Sequence, residues 1–390
     1  MEELRSAVKR LVSGPTSPSL LDSVIDVCLE STPSDEEIAE LATALGESGE
    51  MLPVAGPGNT DVASTGSPGS LTTILTPLLC SAVGTKVRKI TVPGRPAGSV
   101  DVFGAIPGYR ADLDRDQALE VVGKCGYVQL LAGTRWAPLD SLLFRRRQER
   151  GAQAIVPLVI ASILAKKIAA GLRSFVLDVR AAKHGNFGTS VPEATEYATR
   201  LTRVAALLGI KAACQISAVD TPPQPYIGRG EALLALDELT RTSSPNPWLS
   251  AHAEECRRLA TLATGADVAL SPRDVRASLI GHLSAQGVAS GGWEAAVEEL
   301  RRQPRFEVRA DTDGIVNIDL NAVRAAITDA QRTHAKPAIA FPDPCGVILE
   351  RQPGVPVRLG DVLATIRVDT AGGADISRLA SAIRSIGIED

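Results

Sequence analysis

The sequence predicts an α/β protein made of a small helical domain, a larger α/β domain with a mixed sheet, and a C-terminal α+β part. Three observations lead to this fold class. Strand-like and helix-like apolar segments alternate from about residue 60 to residue 240, which is typical of a parallel sheet flanked by helices. Residues 2–48 show only helical spacing, and the tail after residue 305 is rich in short strands and turns. The 390 residues are enough for two or three domains.

The first part of the chain is predicted to be helical. Apolar residues recur at helical spacing over 2–12 and 18–31. A third helix is expected from Ser34 to about Ser48, because Ser34 and Glu37 have the spacing of a capping box. The run PVAGPGN that follows predicts a linker.

The alternating region contains predicted elements of two kinds. Short apolar runs predict strands at 89–92, 126–131, 174–179 and 211–216. Longer amphipathic segments predict helices at 71–83, 115–125, 155–171 and 193–208.

The tail has a different pattern. Strands and turns are expected over 306–320 and 336–368, and GVILERQPGVPVRLGDVLATIRVD has the rhythm of a small hammerhead-like β domain. That rhythm also occurs in lipoyl and biotinyl domains, but their modifiable lysine has no counterpart here. We therefore interpret the tail as structural.

Composition and charge exclude several classes of protein. The net charge of −4 and the absence of a long basic block argue against a nucleic-acid partner. No apolar run approaches the roughly 20 residues that span a bilayer, and the start of the chain lacks the features of a signal peptide. The six cysteines form no CxxC pair, and the four histidines are not spaced as ligand pairs. We expect a cytoplasmic protein with reduced cysteines and no metal site.

The run TDVASTGSPGSLTT, residues 60–73, predicts an anion site. Hydroxyl side chains and glycines precede a helix there, so backbone N–H groups, hydroxyls and the helix N-terminus are able to cradle an oxyanion. No lysine, arginine or histidine lies within the run. A Gly/Ser turn kept for packing is the alternative.

Taken in order, several segments resemble the thymidine and pyrimidine nucleoside phosphorylases. They are SDEEIAELATALGESGE, DVASTGSPGSLTT, Gly94-Arg95 followed by GSVDVFGAIPGY, PLVIASILAKKIAAGLRSFVLDVR and the hammerhead-like tail. The resemblance implies a fold of the nucleoside phosphorylase/phosphoribosyltransferase type. It also implies a helical domain (1–52 and 137–170), an α/β phosphate-side domain (53–136 and 171–300) and a C-terminal α+β domain (301–390). A cleft that closes by domain rotation and a homodimer formed through the helical domain are further implications.

The resemblance implies three base-binding residues. Arg147 lies fifteen residues before Ser162, and Lys166 lies four residues after it, which is the spacing of the family's arginine, serine and lysine. Ser162 and Lys166 share one helical face. Fixed cations aimed at the oxygens of a departing pyrimidine would stabilise the charge of the transition state, so Arg147 and Lys166 are also candidate catalytic residues. Ordinary helix polarity, with Lys166 in solvent, is the alternative.

The implied phosphate site departs from the family pattern. Val62 and Ala63 stand where the family has a lysine and a histidine. The loss of the lysine removes a charge-assisted contact worth roughly 1.5–3 kcal/mol. The remaining candidates for phosphate contact are Ser64, Thr65, Thr73, Arg95 and Ser99.

Two further candidates lie after the strand at 174–179. His184 is either a replacement acid beside the base or a surface-loop histidine. Phe187 either packs on a base or fills the core.

Three functions follow from the resemblance and its departures. The first is a divergent phosphorylase that converts a pyrimidine-like nucleoside and phosphate into base and pentose 1-phosphate. The second is the same scaffold with altered chemistry, either hydrolysis or transfer to another acceptor. The third is a catalytically silent protein that binds a nucleoside, a base or a protein partner. Phosphate is the possible co-substrate, and no organic cofactor is implied.

Overall fold

The structure is a computed structural model that describes residues 3–183, 187–269, 271–334, 340–369 and 375–387. Its first elements are α1 (Glu3–Val12), α2 (Pro18–Glu30) and α3 (Asp35–Gly46). The predicted capping box is confirmed: the Glu37 N–H donates to Ser34 Oγ at 3.2 Å, and the Ser34 N–H donates to Glu37 Oε2 at 2.8 Å. These two bonds satisfy N–H groups that have no partner within the helix.

Two three-stranded parallel sheets follow, where the alternating pattern predicted a parallel sheet. Their strands are β1 (Asn59–Thr60), β2 (Val62–Ser64), β3 (Lys86–Thr91), β4 (Tyr127–Leu131), β5 (Ser174–Ala181) and β6 (Lys211–Ala218). On one side β1 pairs with β3 and β3 with β4, while on the other β2 pairs with β5 and β5 with β6. Only Asp61 separates β1 from β2, so the chain changes its strand partner at that residue.

Helices connect and cover these strands. They are α4 (Thr72–Ala82), α5 (Ser99–Gly104), α6 (Arg115–Cys125), α7 (Pro138–Glu149), α8 (Val156–Ala169), α9 (Val191–Leu207), α10 (Arg229–Arg241), α11 (Pro247–Thr264), α12 (Pro272–Ala285) and α13 (Gly292–Arg302). Because the strands of each sheet are parallel and β1 runs through Asp61 into β2, we expect the loops after β2, β3 and β5 to lie at the same edge, as ligand-binding loops do in α/β proteins.

The hydrophobic core joins the helical part, made of α1–α3, α7 and α8, to strand β5. Leu41 of α3, Leu164 of α8, Leu177 of β5 and Leu201 of α9 are all fully buried in one continuous cluster. A second cluster packs α4 against α10–α13. The helices of the first part are therefore anchored on β5 and α9, and the domain boundaries expected from the sequence stay a prediction.

The tail forms two antiparallel sheets, which agrees with the predicted strand-rich α+β part. Its elements are β8 (Arg305–Arg309), β9 (Gly314–Ile318), α14 (Leu320–Thr333), β10 (Cys345–Leu349), β11 (Pro356–Val357), β12 (Val362–Val368), α15 (Ile376–Ser381) and β13 (Ile383–Ile386). One sheet has the order β7-β10-β12-β8, in which β7 (Tyr226–Ile227) comes from the segment before α10. The other has the order β11-β9-β13. Within the described part of the chain, no helix has the length and apolarity needed to cross a membrane.

Candidate active site

Ser162 and Lys166 meet on α8, one helical turn apart. The Lys166 ammonium donates to Ser162 Oγ at 2.9 Å, to the Ser162 carbonyl oxygen at 2.9 Å and to Asp140 Oδ2 of α7 at 2.5 Å. The three N–H bonds of the ammonium thus have three acceptors. Only 8% of Lys166 and 7% of Ser162 are exposed, so Lys166 is not the solvated helix residue of the alternative interpretation.

The charge state of Lys166 in this cluster of Ser162, Lys166 and Asp140 depends on the carboxylate of Asp140. Burial lowers the pKa of Lys166, and the carboxylate of Asp140 opposes that effect. Asp140 is 1% exposed, and its Oδ1 has no hydrogen-bond partner. The cluster therefore holds one acceptor that is able to take a further N–H donor.

Arg147 is buried at the turn between α7 and α8. Its guanidinium donates to the carbonyl oxygens of Ala152 at 3.2 Å, Gln153 at 2.5 Å and Leu158 at 3.2 Å. Burial lowers the pKa of Arg147 to about 10, while Asp140 counteracts the shift. In this conformation Arg147 fixes the α7–α8 turn and acts on Lys166 through its charge, which contributes to the lowered pKa of Lys166.

The predicted anion loop begins at the end of β2 and is held by one carboxylate. Asp178 Oδ2 of β5 accepts from Ser64 Oγ at 2.9 Å, from Thr72 Oγ1 at 2.8 Å and from Arg180 Nε at 2.6 Å. The Arg180 N–H donates to Thr65 Oγ1 at 2.9 Å. Ser64 and Thr65 are thereby fixed at the carboxyl end of β2, beside β5.

Glycines allow the tight path of this loop. Gly66 and Gly69 have φ of 89° and 79°, in the left-handed region that favours glycine. The loop leads into α4, whose first turn contains Thr72 and the half-buried Thr73. The loop therefore has the shape of an anion cradle at a helix N-terminus.

A neutral histidine supports the loop from α11. His252 Nε2 accepts the N–H of Leu71 at 2.9 Å, so His252 Nδ1 carries the proton that it donates to Glu255 Oε2 at 2.9 Å. Burial lowers the pKa of His252, which keeps the ring neutral. Glu255 also lies 3.5 Å from Arg180, so the positive charge of Arg180 is balanced by Asp178 and Glu255.

The remaining phosphate candidates lie on the loop after β3. Arg95 Nη2 donates to Gln148 Oε1 of α7 at 3.0 Å, so Arg95 joins this loop to the helical part. Ser99 is 2% exposed at the start of α5, and its Oγ has no hydrogen-bond partner. Among the described side chains, no hydrogen bond links Arg95 or Ser99 to Ser64 or Thr65.

Val62 and Ala63 bring no charge to the loop. Val62 is completely buried and packs in the cluster around α4. Directly before it lies Asp61, which pairs with two lysines, Lys89 of β3 and Lys167 of α8. Both ammonium groups are buried, so a charged group is present close to β2 although the strand itself has none.

The last two residues predicted to lie beside the base are His184 and Phe187. His184 lies outside the described residues. Phe187 is fully buried, and its ring packs against Tyr197 of α9 with centroids 5.6 Å apart. That position corresponds to the core-filling alternative rather than to stacking on a base.

Sequence reasoning missed the partners that organise the site. Asp140, Asp178 and Lys89 were not recognised as site residues. Asp178 and Lys89 each lie in an apolar strand run, where a charged residue needs a buried partner, so that pattern was a usable signal. In the described ranges, no group of three or more His, Cys, Asp or Glu residues is arranged to hold a metal ion.

Comparison with known proteins supports the family resemblance. The chain is 29% identical to mouse (Mus musculus) thymidine phosphorylase over 342 residues, 80% of this chain and 72% of the relative. It is 28% identical to thymidine phosphorylase of Mesorhizobium japonicum over 94% of this chain and 88% of the relative. It is 26% identical to pyrimidine-nucleoside phosphorylase of Geobacillus stearothermophilus over 85% of this chain and 80% of the relative. The chain is thus similar to thymidine and pyrimidine-nucleoside phosphorylases over most of its length.

The fold agrees with this relationship. A solved anthranilate phosphoribosyltransferase from Thermus thermophilus superposes with a TM-score of 0.53 at 18% identity, covering 77% of this chain and 98% of that chain. This likeness concerns the fold alone. No protein-family model matches the chain.

Proposed function

We propose that the protein is a pentosyltransferase that cleaves or forms the N-glycosidic bond of a pyrimidine-like nucleoside with phosphate as co-substrate. The supporting relatives are phosphorylases of thymidine and pyrimidine nucleosides. The observation that carries the proposal is the buried cluster of Lys166, Ser162 and Asp140, with Arg147 beside it.

The cluster suits a departing pyrimidine. When the bond to the sugar breaks, negative charge spreads onto the carbonyl oxygens of the base. A carbonyl oxygen of the base would replace Ser162 Oγ as the acceptor of one Lys166 N–H. This charge-assisted hydrogen bond becomes stronger as negative charge develops on the oxygen in the transition state. The Ser162 hydroxyl would then be free to donate to the base, and Arg147 would add its positive charge without leaving its carbonyl partners.

On the other side, the loop from Ser64 to Thr73 would hold phosphate. Backbone N–H groups, the hydroxyl of Thr65 and the N-terminus of α4 are the available donors, and the Ser64 hydroxyl would join them if it released Asp178. Arg95 and Ser99 would reach the same anion from the loop after β3 if that loop moved towards β2. Because Arg95 is bonded to Gln148 of α7, a movement of α7 relative to β2 would carry that loop with it.

One observation favours a second chemistry. Val62 and Ala63 leave the strand before the loop without charge, and a less charged co-substrate such as water or another acceptor would fit that surface. Hydrolysis of the same nucleoside is therefore the alternative, and a silent binding protein is the third outcome.

An assay of base release separates these functions. Purified protein is incubated with thymidine, uridine or deoxyuridine, with and without phosphate, and free base and sugar phosphate are measured by chromatography. Phosphate-dependent release with formation of pentose 1-phosphate supports the proposal. Phosphate-independent release shows hydrolysis, and binding without release shows a silent protein.

Two variants show whether the cluster is responsible. Lys166→Met removes the ammonium, and we expect kcat/KM to fall about ten- to a hundredfold, since a charge-assisted contact of about 1.5–3 kcal/mol is lost in the transition state. Lys124→Met is the matched control, because Lys124 is an exposed lysine of α6. Equal activity of the two variants would contradict the assignment of Lys166.

The homodimer formed through the helical part and the cytoplasmic location are also proposals that rest on the resemblance. Light scattering of the purified protein tests the first, with twice the 40.8 kDa chain mass as the expected result.

A further inference from the structure

Three charged side chains meet in the interior where the chain passes from β1 to β2. Asp61 Oδ1 lies 3.1 Å from the Lys89 ammonium, and Asp61 Oδ2 accepts a hydrogen bond from Lys167. Lys89 also donates to the carbonyl oxygen of Val62. Asp61 and Lys89 are completely buried, and Lys167 is 2% exposed. We call this group the Asp61 cluster.

The Asp61 cluster has an unbalanced charge. Two lysines and one aspartate sum to one positive charge when all are ionised. Burial lowers the pKa of Lys89 and Asp61 opposes the shift, while the two lysines hold the pKa of Asp61 below its usual value. A buried charge without a counter-charge is costly, so an anion that binds close to the cluster would be stabilised by it and would offset part of that cost.

The position of the Asp61 cluster, close to the anion loop, indicates an anion as the ligand of opposite sign. Ser64, where the anion loop begins, is two residues beyond Val62, which at the strand rise of about 3.3 Å per residue places it roughly 7 Å away. Arg180, the other buried cation at the loop, is already balanced by Asp178 and Glu255. The Asp61 cluster is therefore the source of surplus positive charge beneath the loop.

We propose that Lys89, together with Lys167 and Asp61, supplies the positive charge that attracts a phosphate-class anion to the loop from Ser64 to Thr73. Lys89 is a positioning residue in this role, since it acts on the anion through the field and not by contact. The inference rests on the proposed function, and it explains how the loop binds phosphate although Val62 carries no charge.

The size of the effect follows from the distance. The distance of roughly 7 Å is the spacing of Val62 and Ser64 along the strand, and an anion held by the loop lies beyond Ser64. At about 12 Å and an effective dielectric constant of about 20, one unit charge changes affinity by roughly tenfold. We therefore expect the loss of one lysine to weaken phosphate binding by about tenfold.

Substitution of Lys89 by methionine tests the proposal, because methionine fills a similar volume and leaves Asp61 paired with Lys167. Inorganic phosphate is titrated into the full-length protein by calorimetry, and thermal unfolding is followed in phosphate-free buffer. We expect Lys89→Met to bind phosphate about tenfold more weakly or worse, with unchanged nucleoside affinity and a Tm that is unchanged or higher. Lys86→Met, an exposed lysine of the same strand, is the matched control.

A second variant distinguishes the loss of charge from local misfolding of the Lys89→Met protein. Lys167→Met also leaves a neutral pair, of Asp61 with Lys89, so it should weaken phosphate binding to a similar degree. If both variants keep the wild-type affinity for phosphate, or if their Tm falls while phosphate affinity is retained, the lysines are structural and the inference is overturned.

The outcomes also separate this inference from the proposed function. Phosphate-dependent turnover by the wild type, combined with full phosphate affinity of Lys89→Met, would overturn the role of Lys89 alone. A wild-type protein that binds no inorganic phosphate would overturn both.

Discussion

Replacing Asp140 by asparagine should change both the stability of the protein and the pH range in which Lys166 is charged. Asp140 Oδ2 lies 2.5 Å from the Lys166 ammonium, and both groups are buried. Asparagine keeps the shape of the side chain but removes the charge. The amide oxygen of the new side chain is still able to accept from the Lys166 ammonium, but burial of that ammonium is no longer opposed by a negative charge.

The magnitude follows from the geometry. At the 2.5 Å between the Lys166 ammonium and Asp140 Oδ2, the two charges interact by roughly 7 kcal/mol at an effective dielectric constant of about 20 and by roughly 2 kcal/mol at about 80, which correspond to about five and about one pKa units. We expect the pKa of Lys166 to fall by one to three units in Asp140→Asn. Removing one partner of a buried ion pair typically costs about 3–5 kcal/mol of stability. The cost is smaller here if Lys166 loses its proton and becomes neutral.

The sign of the pH dependence is fixed by linkage. A lysine whose pKa in the folded state lies below the value in the unfolded state makes the unfolded state bind more protons, so stability rises with pH between those two values. For Asp140→Asn, the free energy of unfolding should therefore recover towards wild type as pH rises towards the usual lysine pKa. The basic limb of the pH profile of kcat/KM should move to lower pH by the same one to three units.

Urea denaturation between pH 7 and 9.5 and the pH profile of base release measure these effects. Asp267→Asn is the matched control, because Asp267 is 92% exposed where it pairs with Arg257 and should change little. A free energy of unfolding and a basic limb both equal to those of wild type would refute the role of Asp140.

Two further predictions concern buried rings. Phe187→Ala should lower the free energy of unfolding by about 3–5 kcal/mol without raising KM for the nucleoside, since the ring is in the core, whereas the exposed Phe306→Ala should cost far less. A raised KM in a stable Phe187→Ala protein would instead indicate contact with the base. Burial lowers the pKa of His282 to about 3, where Nδ1–H donates to the Tyr127 carbonyl and Nε2 accepts from Tyr109. The stability that neutral His282 provides is complete above pH 6.5, and about 1.4 kcal/mol of it is lost per pH unit as pH falls towards 3. Urea denaturation measures this loss through the difference in free energy of unfolding between wild type and His282→Gln. That difference should shrink by about 2 kcal/mol from pH 6.5 to pH 5. A difference independent of pH would contradict this.

Local signals in the sequence were sufficient for most of the fold. The capping box at Ser34 and Glu37 forms as predicted, since its two bonds involve residues three positions apart. The parallel sheet likewise follows from alternating segments, each of which carries its own periodicity. Segment 155–171, where Ser162 and Lys166 were expected on one face, folds as α8 with the two side chains bonded.

The site could be predicted only in part, because its organising contacts join distant parts of the chain. Asp140 and Lys166 are 26 residues apart, and Ser64 and Asp178 are 114 residues apart. No local pattern gives the partner of a buried charge. A charged residue in a buried strand, as Asp178 and Lys89 are, indicates that a partner exists but not which residue it is.

The two consecutive lysines of α8 connect the halves of the site. Lys166 points to Asp140 of α7, in the base cluster, whereas Lys167 pairs with Asp61, beneath the anion loop. Parting Lys167 from Asp61 would leave a buried charge unpaired, at a cost of about 3–5 kcal/mol. A movement of the helical part therefore costs least free energy if α8 and β2 move together as one body. The ammonium of Lys166 then stays at a fixed distance from the anion loop. The movable parts of the site are then the loop after β3, with Arg95, and the helices that α8 does not tie to the sheet.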